Sequence, residues 1–560
     1  VITGTPAAKP DALVRGSDSI LWLAGILVFA YAVAVLSGPI VAGHDTYLSF
    51  SRVETWTTAM RAGDFMSVWT PAHANGFGSP LPFFYHKLFN LVAAALTIAT
   101  GDIVVGFRLA VLLFSGVMFY GVYRCAALLG ASRQTRVVTA VACTMSPYAL
   151  ICIVERGAAA EYSAMALVPL CAAYAAELIL RRPKPWLGVK LFVLLCLLAL
   201  AHIVTFAVTA CLLVAFALAL LKYSPRRALI LLAASVGALL LFVILIYVPF
   251  IVWGSYFSPT QARLHGLPAD NAVPLIRVLS PNPASWFGWP VLALLVALGF
   301  LLRHRKDKRV KAPLVTGLAA LALILLTTRV SAPMWRISEQ LDFVQFPWRL
   351  LSIATPLIFI TFAGAVERLP AILKRRTLFA ILGLSVIHAA GMLYWVHSVF
   401  TTIPSAELRQ SSPSTGPGPD AGGEYFPARY RDALAATPDI LATGAASALP
   451  ARRPFADSTG GCTLNPPASV TYVQILQIVV TCTSAGAARI NQFDTPFLET
   501  RVTSNDHDKG GAMRVRRIEG GPMIEFALPP GDWTLHVRQR TYLELVIFAW
   551  RQEIEYGSRK

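Results

Sequence analysis

Apolar runs about twenty residues long and nearly free of charge recur through the first 400 residues of this 560-residue chain. Nothing else in the sequence constrains the fold as much. A helix of about 20 apolar residues crosses ~30 Å of hydrocarbon while satisfying its backbone hydrogen bonds internally. The runs 20–42, 229–253 and 378–396 have that length. Charged residues make up only 14% of the chain and apolar residues 56%, against about 25% charged in ordinary soluble domains. A soluble enzyme, a collagen and a disordered chain are excluded.

Hydropathy places eleven spans, at 20–42, 103–123, 136–153, 160–180, 187–201, 204–221, 228–253, 288–302, 312–328, 349–366 and 377–398. The expected fold is a polytopic α-helical membrane protein. Its formal charge is +18, and all of the excess lies before residue 401, because residues 401–560 carry 16 basic and 16 acidic side chains. The connections alternate: 22 Lys and Arg, including Arg124, Arg133, Arg136, the 303–311 cluster and Arg375, fall on one side and ten on the other. The richer side faces the cytoplasm. The N-terminus is then cytoplasmic, and everything after about residue 396 lies outside. So placed, the charge reports topology, and nucleic acid is not an expected partner.

Two segments are less clear. Residues 187–221 are either two short helices or one long helix broken near His202; keeping the basic loops on one side favours two, with His202 at the outer turn. Residues 83–100 read as an interfacial or re-entrant helix, because a true span there would invert every later loop. The chain starts at Val1 rather than Met, as expected of a trimmed or incomplete sequence.

The linear division is a membrane domain over 1–400, with an outer loop at 43–102, a Pro-, Ser- and Gly-rich linker over 401–423, and a small extracytoplasmic β-rich domain over 424–560. The apolar piece 542–550 reads as a strand or as part of an uncompleted twelfth span. Six cysteines lie in or beside spans and act as small apolar residues. Cys462 and Cys482 lie outside, where an oxidising compartment favours a disulfide between them. No Cys-x-x-Cys or His-Glu-x-x-His spacing points to a metal.

Candidate chemistry gathers in the outer connections, where ionisable groups beside a span are costly and suggest function. Asp45 follows the first span, and Arg52 lies two helical turns further on, on the same face. Asp45 is either a base able to accept a hydroxyl proton, with Arg52 meeting an anion, or a helix cap paired with Arg52. The stretch from Trp69 to His86 alternates aromatics with Gly and Pro, as suits either a sugar- or headgroup-binding surface or an aromatic belt. Arg156 and Glu161 flank a tight outer turn and either neutralise each other or bind substrate. His202 is a lone outer histidine. Arg349 sits in the first turn of a helix after Pro347, where a cation is unfavourable unless an anion such as a lipid phosphate or Asp342 offsets it.

Taken together, His44-Asp45…Arg52, Gly76-Phe77-Gly78-Ser79-Pro80-Leu81…Phe84-Tyr85, Arg156-Gly157…Glu161, His202, Gln345-Phe346-Pro347-Trp348-Arg349 and Glu424-Tyr425-Phe426-Pro427 resemble a bacterial membrane family. Its label is "6-pyruvoyl-tetrahydropterin synthase-related, membrane domain", and it is similar to the GT-C superfamily of polytopic glycosyltransferases. The match covers most of residues 40–430. One departure is His86-Lys87 after Tyr85, where the family often has two prolines.

The resemblance implies an inner-membrane transferase that moves a sugar from a polyprenyl-phosphate donor to a cell-envelope acceptor on the periplasmic face. Asp45 would be the general base, acting with inversion. His44, Arg52, Tyr85, His86, Arg156, Glu161, His202 and Arg349 would contact substrate, and the β domain would position the acceptor. The loop lacks the Asp-x-Asp pair of metal-dependent members, so no cofactor is assigned, and a divalent metal stays open without a clear motif to support it. A polytopic transporter or flippase, or a non-catalytic envelope scaffold, are the rival readings.

Overall fold

The structure is a computed structural model, and it describes residues 11–71, 78–180, 184–254, 267–280, 286–410, 456–464, 473, 475–493, 495–505, 516–518 and 523–557. Among these residues, eight helices are long and apolar enough to cross a membrane, or nine when the bent pair Arg133–Thr144 and Pro147–Glu155 is taken as one span. Pro185–Ala201 and Trp289–Arg303 are apolar but shorter. Each of the eleven expected spans thus coincides with an apolar helix. The ambiguous 187–221 segment is two helices, Pro185–Ala201 and Ile203–Leu220, separated at an extended His202. The first span ends at Ser37, and beyond it Ile40–Val41 (β1) pairs with Thr402–Ile403 (β2).

The chain divides into two compact units. The first holds residues 1–44, 108–239 and 267–403. At its centre lies Leu351–Val366, whose sixteen residues are all buried except Leu357. Arg133–Thr144, Ala159–Leu180, Trp289–Arg303 and Lys311–Leu326 pack around it. Small residues permit the close approach: a Cβ on Gly364 would stand 2.4 Å from Pro313. At the other extreme, Ser19–Ser37 is only 11% buried, as a lipid-facing helix must be.

The second unit holds residues 45–107, 240–266 and 404–560. This grouping differs from the linear division, since the outer loop clusters with the C-terminal residues. The physical reason is a shared core: Trp69, Phe83, Phe84 and Trp253 are buried with Ile478, Val480, Ile490, Phe497, Leu535 and Val537 of the sheet. Trp69, Phe83 and Phe84 are therefore core residues and not a presented sugar-binding surface. Gly78 adopts a positive φ of 83°, and a Cβ there would stand 2.4 Å from the Trp69 ring.

The sheet is antiparallel, with strand order β5-β8-β4-β7-β6 and with β3 beside β4. Its strands are β3 (Ala456–Leu464), β4 (Ile475–Phe493), β5 (Leu498–Ser504), β6 (Arg516–Ile518), β7 (Met523–Leu528) and β8 (Gly531–Gln539). Cys462 and Cys482 are disulfide-bonded and face each other in the β3–β4 register. Of the expected linker 401–423, residues 402–403 form β2 and Ser405–Gln410 is a helix; 411–423 lie outside the described residues.

The strand reading of 542–550 is corrected, because Tyr542–Gly557 is a helix. Thr541 and Glu544 start it with a reciprocal capping box: Thr541 N donates to Glu544 Oε2 at 2.7 Å and Glu544 N to Thr541 Oγ1 at 3.2 Å.

Candidate functional site

In the second unit, Asp45 stands at the start of the helix Thr46–Arg61 and makes no side-chain capping bond. Its carbonyl accepts from Ser49 N, but among the described residues its partly exposed carboxylate takes no hydrogen bond or ion pair, and the expected pairing with Arg52 is absent. Arg52 is buried and held elsewhere: Nη1 donates to the Tyr85 hydroxyl at 2.8 Å, and the guanidinium carbon lies 3.7 Å from the Tyr85 ring centroid. His86 packs against Tyr85 with ring centroids 5.2 Å apart.

Lys87, notable in the sequence as part of the His86-Lys87 departure, is buried. Its Nζ donates to the carbonyls of Phe83 at 2.9 Å and Tyr85 at 3.3 Å, and lies 5.3 Å from the Tyr542 ring centroid. Burial without a counter-charge pulls its pKa down to about 7. Lys87 thus ties the Tyr85 backbone from within. Residues 76 and 77 of the motif, and 424–427, lie outside the described residues.

In the first unit, Arg156 and Glu161 are ion-paired at 2.9 Å, both buried. Tyr148, which sequence reasoning missed, completes the group by donating to Glu161 and accepting from Arg156 Nη1 at 3.2 Å. The one local signal was the Ser146-Pro147 break that places Tyr148 in the first turn of Pro147–Leu150. Arg156 also faces the Trp286 ring, at 5.8 Å, and Trp286 packs edge-on against Trp348.

His202 belongs to a second chain of contacts. Its Nδ1 accepts from Thr205 N at 3.3 Å, so the ring proton is on Nε2. Thr205 Oγ1 meets Ser352 Oγ at 2.9 Å, and Ser352 donates to the Arg349 carbonyl at 2.6 Å. Burial, then the Arg349 and Arg156 cations, hold His202 well below its ordinary pKa, so the ring is neutral. Arg349 Nη1 donates to the Val344 carbonyl at 3.1 Å, and no ion pair with Asp342 occurs among the described residues. Just before it, Gln345 is held at φ 57°, a costly conformation for a non-glycine residue. His44 is exposed, with its amide bonded to the Glu155 carbonyl at 3.1 Å and its ring beside Phe400.

The structure therefore joins Arg52 with Tyr85 and His86, Arg156 with Glu161, and His202 with Arg349. Among the described residues, no group of three or more His, Cys, Asp or Glu is arranged to hold a metal ion.

Many apolar helices, a buried Arg156–Glu161 ion pair among them and a disulfide-closed β-sheet define a polytopic membrane protein with a C-terminal β domain. A family model described as "6-pyruvoyl-tetrahydropterin synthase related domain; membrane protein" matches residues 79–407. That is more than half of the chain, and the chain belongs to this family. No curated protein matches it in sequence.

Among solved structures, arabinofuranosyltransferase AftD from Mycobacteria is 19% identical with a TM-score of 0.44, over 70% of this chain and 28% of that one. The chain thus spans little more than a quarter of AftD. ArnT from Cupriavidus metallidurans bound to undecaprenyl phosphate is 15% identical with a TM-score of 0.46, over 72% of this chain and 68% of ArnT. The apo form of ArnT is 15% identical with a TM-score of 0.44.

Proposed function

We propose that this protein is a membrane glycosyltransferase of the bacterial inner membrane that moves a sugar from a polyprenyl-phosphate donor to a cell-envelope acceptor, with Asp45 as general base. The observation that carries the reading is the state of Asp45. It sits at a helix start beyond the first span, partly exposed, with neither the capping bond nor the Arg52 pair that a structural role would use. A carboxylate without a partner among the described residues is available to take a proton.

In the reaction the acceptor hydroxyl gives its proton to Asp45 while its oxygen attacks the anomeric carbon. The bond from that carbon to the phosphate oxygen breaks, and the polyprenyl phosphate leaves with its full charge. A pre-set cation stabilises that growing charge at no cost of reorganisation. Arg52, fixed by Tyr85 and the adjacent His86, is one candidate. In the helical unit, Arg349 and Arg156 are the others: Glu161 and Tyr148 orient Arg156, and neutral His202 offers a donor. His44 is assigned to the acceptor. The N-terminus is read as cytoplasmic and the β domain as periplasmic, from the basic loops.

The test is transfer of radiolabelled sugar from synthetic polyprenyl-phosphate donors to envelope extracts by the purified protein in liposomes, with Asp45→Asn beside it. Transfer that Asp45→Asn abolishes supports the reading. Movement of the labelled lipid between leaflets without transfer would assign a flippase instead, and full activity of Asp45→Asn would remove Asp45 from its role.

A further inference from the structure

The helix Tyr542–Gly557 carries three different faces. Leu545, Val546 and Ala549 are buried in the second unit. Leu543, Ile547 and Trp550, spaced i, i+4 and i+7, form an adjacent stripe, and in it Leu543 is 62% and Ile547 43% exposed. Next to the stripe lie Glu544, paired with Arg538 at 2.9 Å, and exposed Arg551. This order of protein-facing, apolar and charged faces is that of a helix lying along a bilayer surface.

Its position against a membrane span fixes the depth. Tyr542 Oη donates to the Leu245 carbonyl at 2.9 Å and Trp550 Nε1 to the Ile244 carbonyl at 2.9 Å. Both carbonyls need outside donors: Pro249 has no N–H, and a π-helical turn covers Val243–Tyr247, so the acceptors four and five residues before the proline lose their helical partner. An unsatisfied carbonyl in lipid costs several kcal/mol. In return, Trp253 Nε1 donates to the Leu545 carbonyl at 3.0 Å.

The span Pro225–Gly254 has 30 residues, while hydrocarbon takes about 20. Counted from Arg226 and Arg227 at its basic end, the hydrocarbon ends near residue 247. The C-terminal helix meets the span at that border, where Tyr and Trp are preferred.

We propose that the Leu543, Ile547 and Trp550 stripe is immersed in lipid at the edge of the leaflet opposite Arg226 and Arg227, so that this helix anchors the β-sheet to the bilayer surface. The apolar stripe continues the exposed lipid-facing surface of the span it touches, which includes Ile244 and Ile251. The inference does not depend on the catalytic reading.

The experiment uses the full chain with Cys196→Ser and Cys211→Ser, the two cysteines that are neither buried nor disulfide-bonded. Single cysteines at Leu543→Cys, Ile547→Cys and, as the charged-face control, Arg551→Cys carry an environment-sensitive fluorophore in phosphatidylethanolamine–phosphatidylglycerol vesicles. Lipids with a nitroxide near the top of the acyl chain should remove more than half of the emission at 543 and 547 and much less at 551, and aqueous iodide should give the reverse order. Iodide quenching at 543 and 547 equal to that at 551 would overturn the proposal. Protection from both quenchers would also overturn it, because a protein would then cover the stripe. These substitutions fall on exposed side chains, and circular dichroism of each labelled protein checks that it is folded.

Discussion

Arg52 packs over Tyr85, its guanidinium carbon 3.7 Å from the ring centroid while Nη1 donates to the phenol oxygen at 2.8 Å. The two contacts separate by mutation. Tyr85→Phe keeps the stacked face and loses the hydrogen bond, worth about 1.5–3 kcal/mol for a charged donor at most, so kcat/KM for sugar transfer should fall about tenfold. Tyr85→Ala also removes the stack, worth about 0.5–2 kcal/mol, and should fall further, with Arg52→Lys at least as impaired because an ammonium has no planar face. Equal kinetics for Tyr85→Ala and the unaltered protein would show that Tyr85 does not position Arg52 for the reaction.

Among the described residues the Asp45 carboxylate makes no hydrogen bond or ion pair, so its neutralisation should separate chemistry from stability. Asp45→Asn should lower kcat by about 10²–10⁴, the usual contribution of a general base, while the thermal unfolding midpoint in detergent stays within about a degree. A parallel loss of both would mean that Asp45 is structural after all.

The buried trio Tyr148, Arg156 and Glu161 predicts the opposite pattern. Glu161→Gln leaves a buried guanidinium without its counter-charge, and breaking one side of such a pair costs about 3–5 kcal/mol. The midpoint should drop by several degrees. Replacing both partners, Arg156→Met with Glu161→Leu, should recover most of the loss because no charge then remains buried. If the double variant is no better than the single one, the pair is not the source of the cost.

These residues also show what a sequence can disclose. The spans were readable because lipid demands long apolar helices, and even the break at His202 left a trace in the charge of the neighbouring loops. The strand character of β7 and β8 was equally visible in their β-branched and aromatic residues. Two things were hidden. Trp69, Phe83 and Phe84 looked like a surface because Gly and Pro surround them, yet they pack against Phe497 and Phe250, more than 150 residues away. The helix at 542–557 was missed although Thr541 and Glu544 spell its capping box, because its apolar run is too short to announce itself. At the candidate site, residue identities were legible but partners were not: nothing local says that Arg52 chooses Tyr85 over Asp45.

Lys87 gives the last prediction, one of pH. The unfolded chain holds its proton up to about 10.5, the folded protein only to about 7. Below about 7 both states are protonated and the full cost of burying the ammonium is present. Between about 7 and 10.5 the unfolded state binds a proton that the folded state lacks, so stability rises with pH, by up to about 1.4 kcal/mol per unit. Neutralisation need not break the turn, since an amine keeps two N–H groups for the two carbonyls, of Phe83 and Tyr85. Among the described residues no carboxylate pairs with Lys87, and its neighbours His86 and Tyr542 offer no fixed negative charge near neutrality. Lys87→Met removes the titrating group and loses the same two bonds at every pH. Its unfolding midpoint relative to the unaltered protein should therefore be most favourable near pH 6 and decline steadily as the pH is raised towards 10. The background titration of other groups is common to both proteins and cancels in the difference, so a difference that stays flat over this range would mean that Lys87 keeps its proton in the folded state.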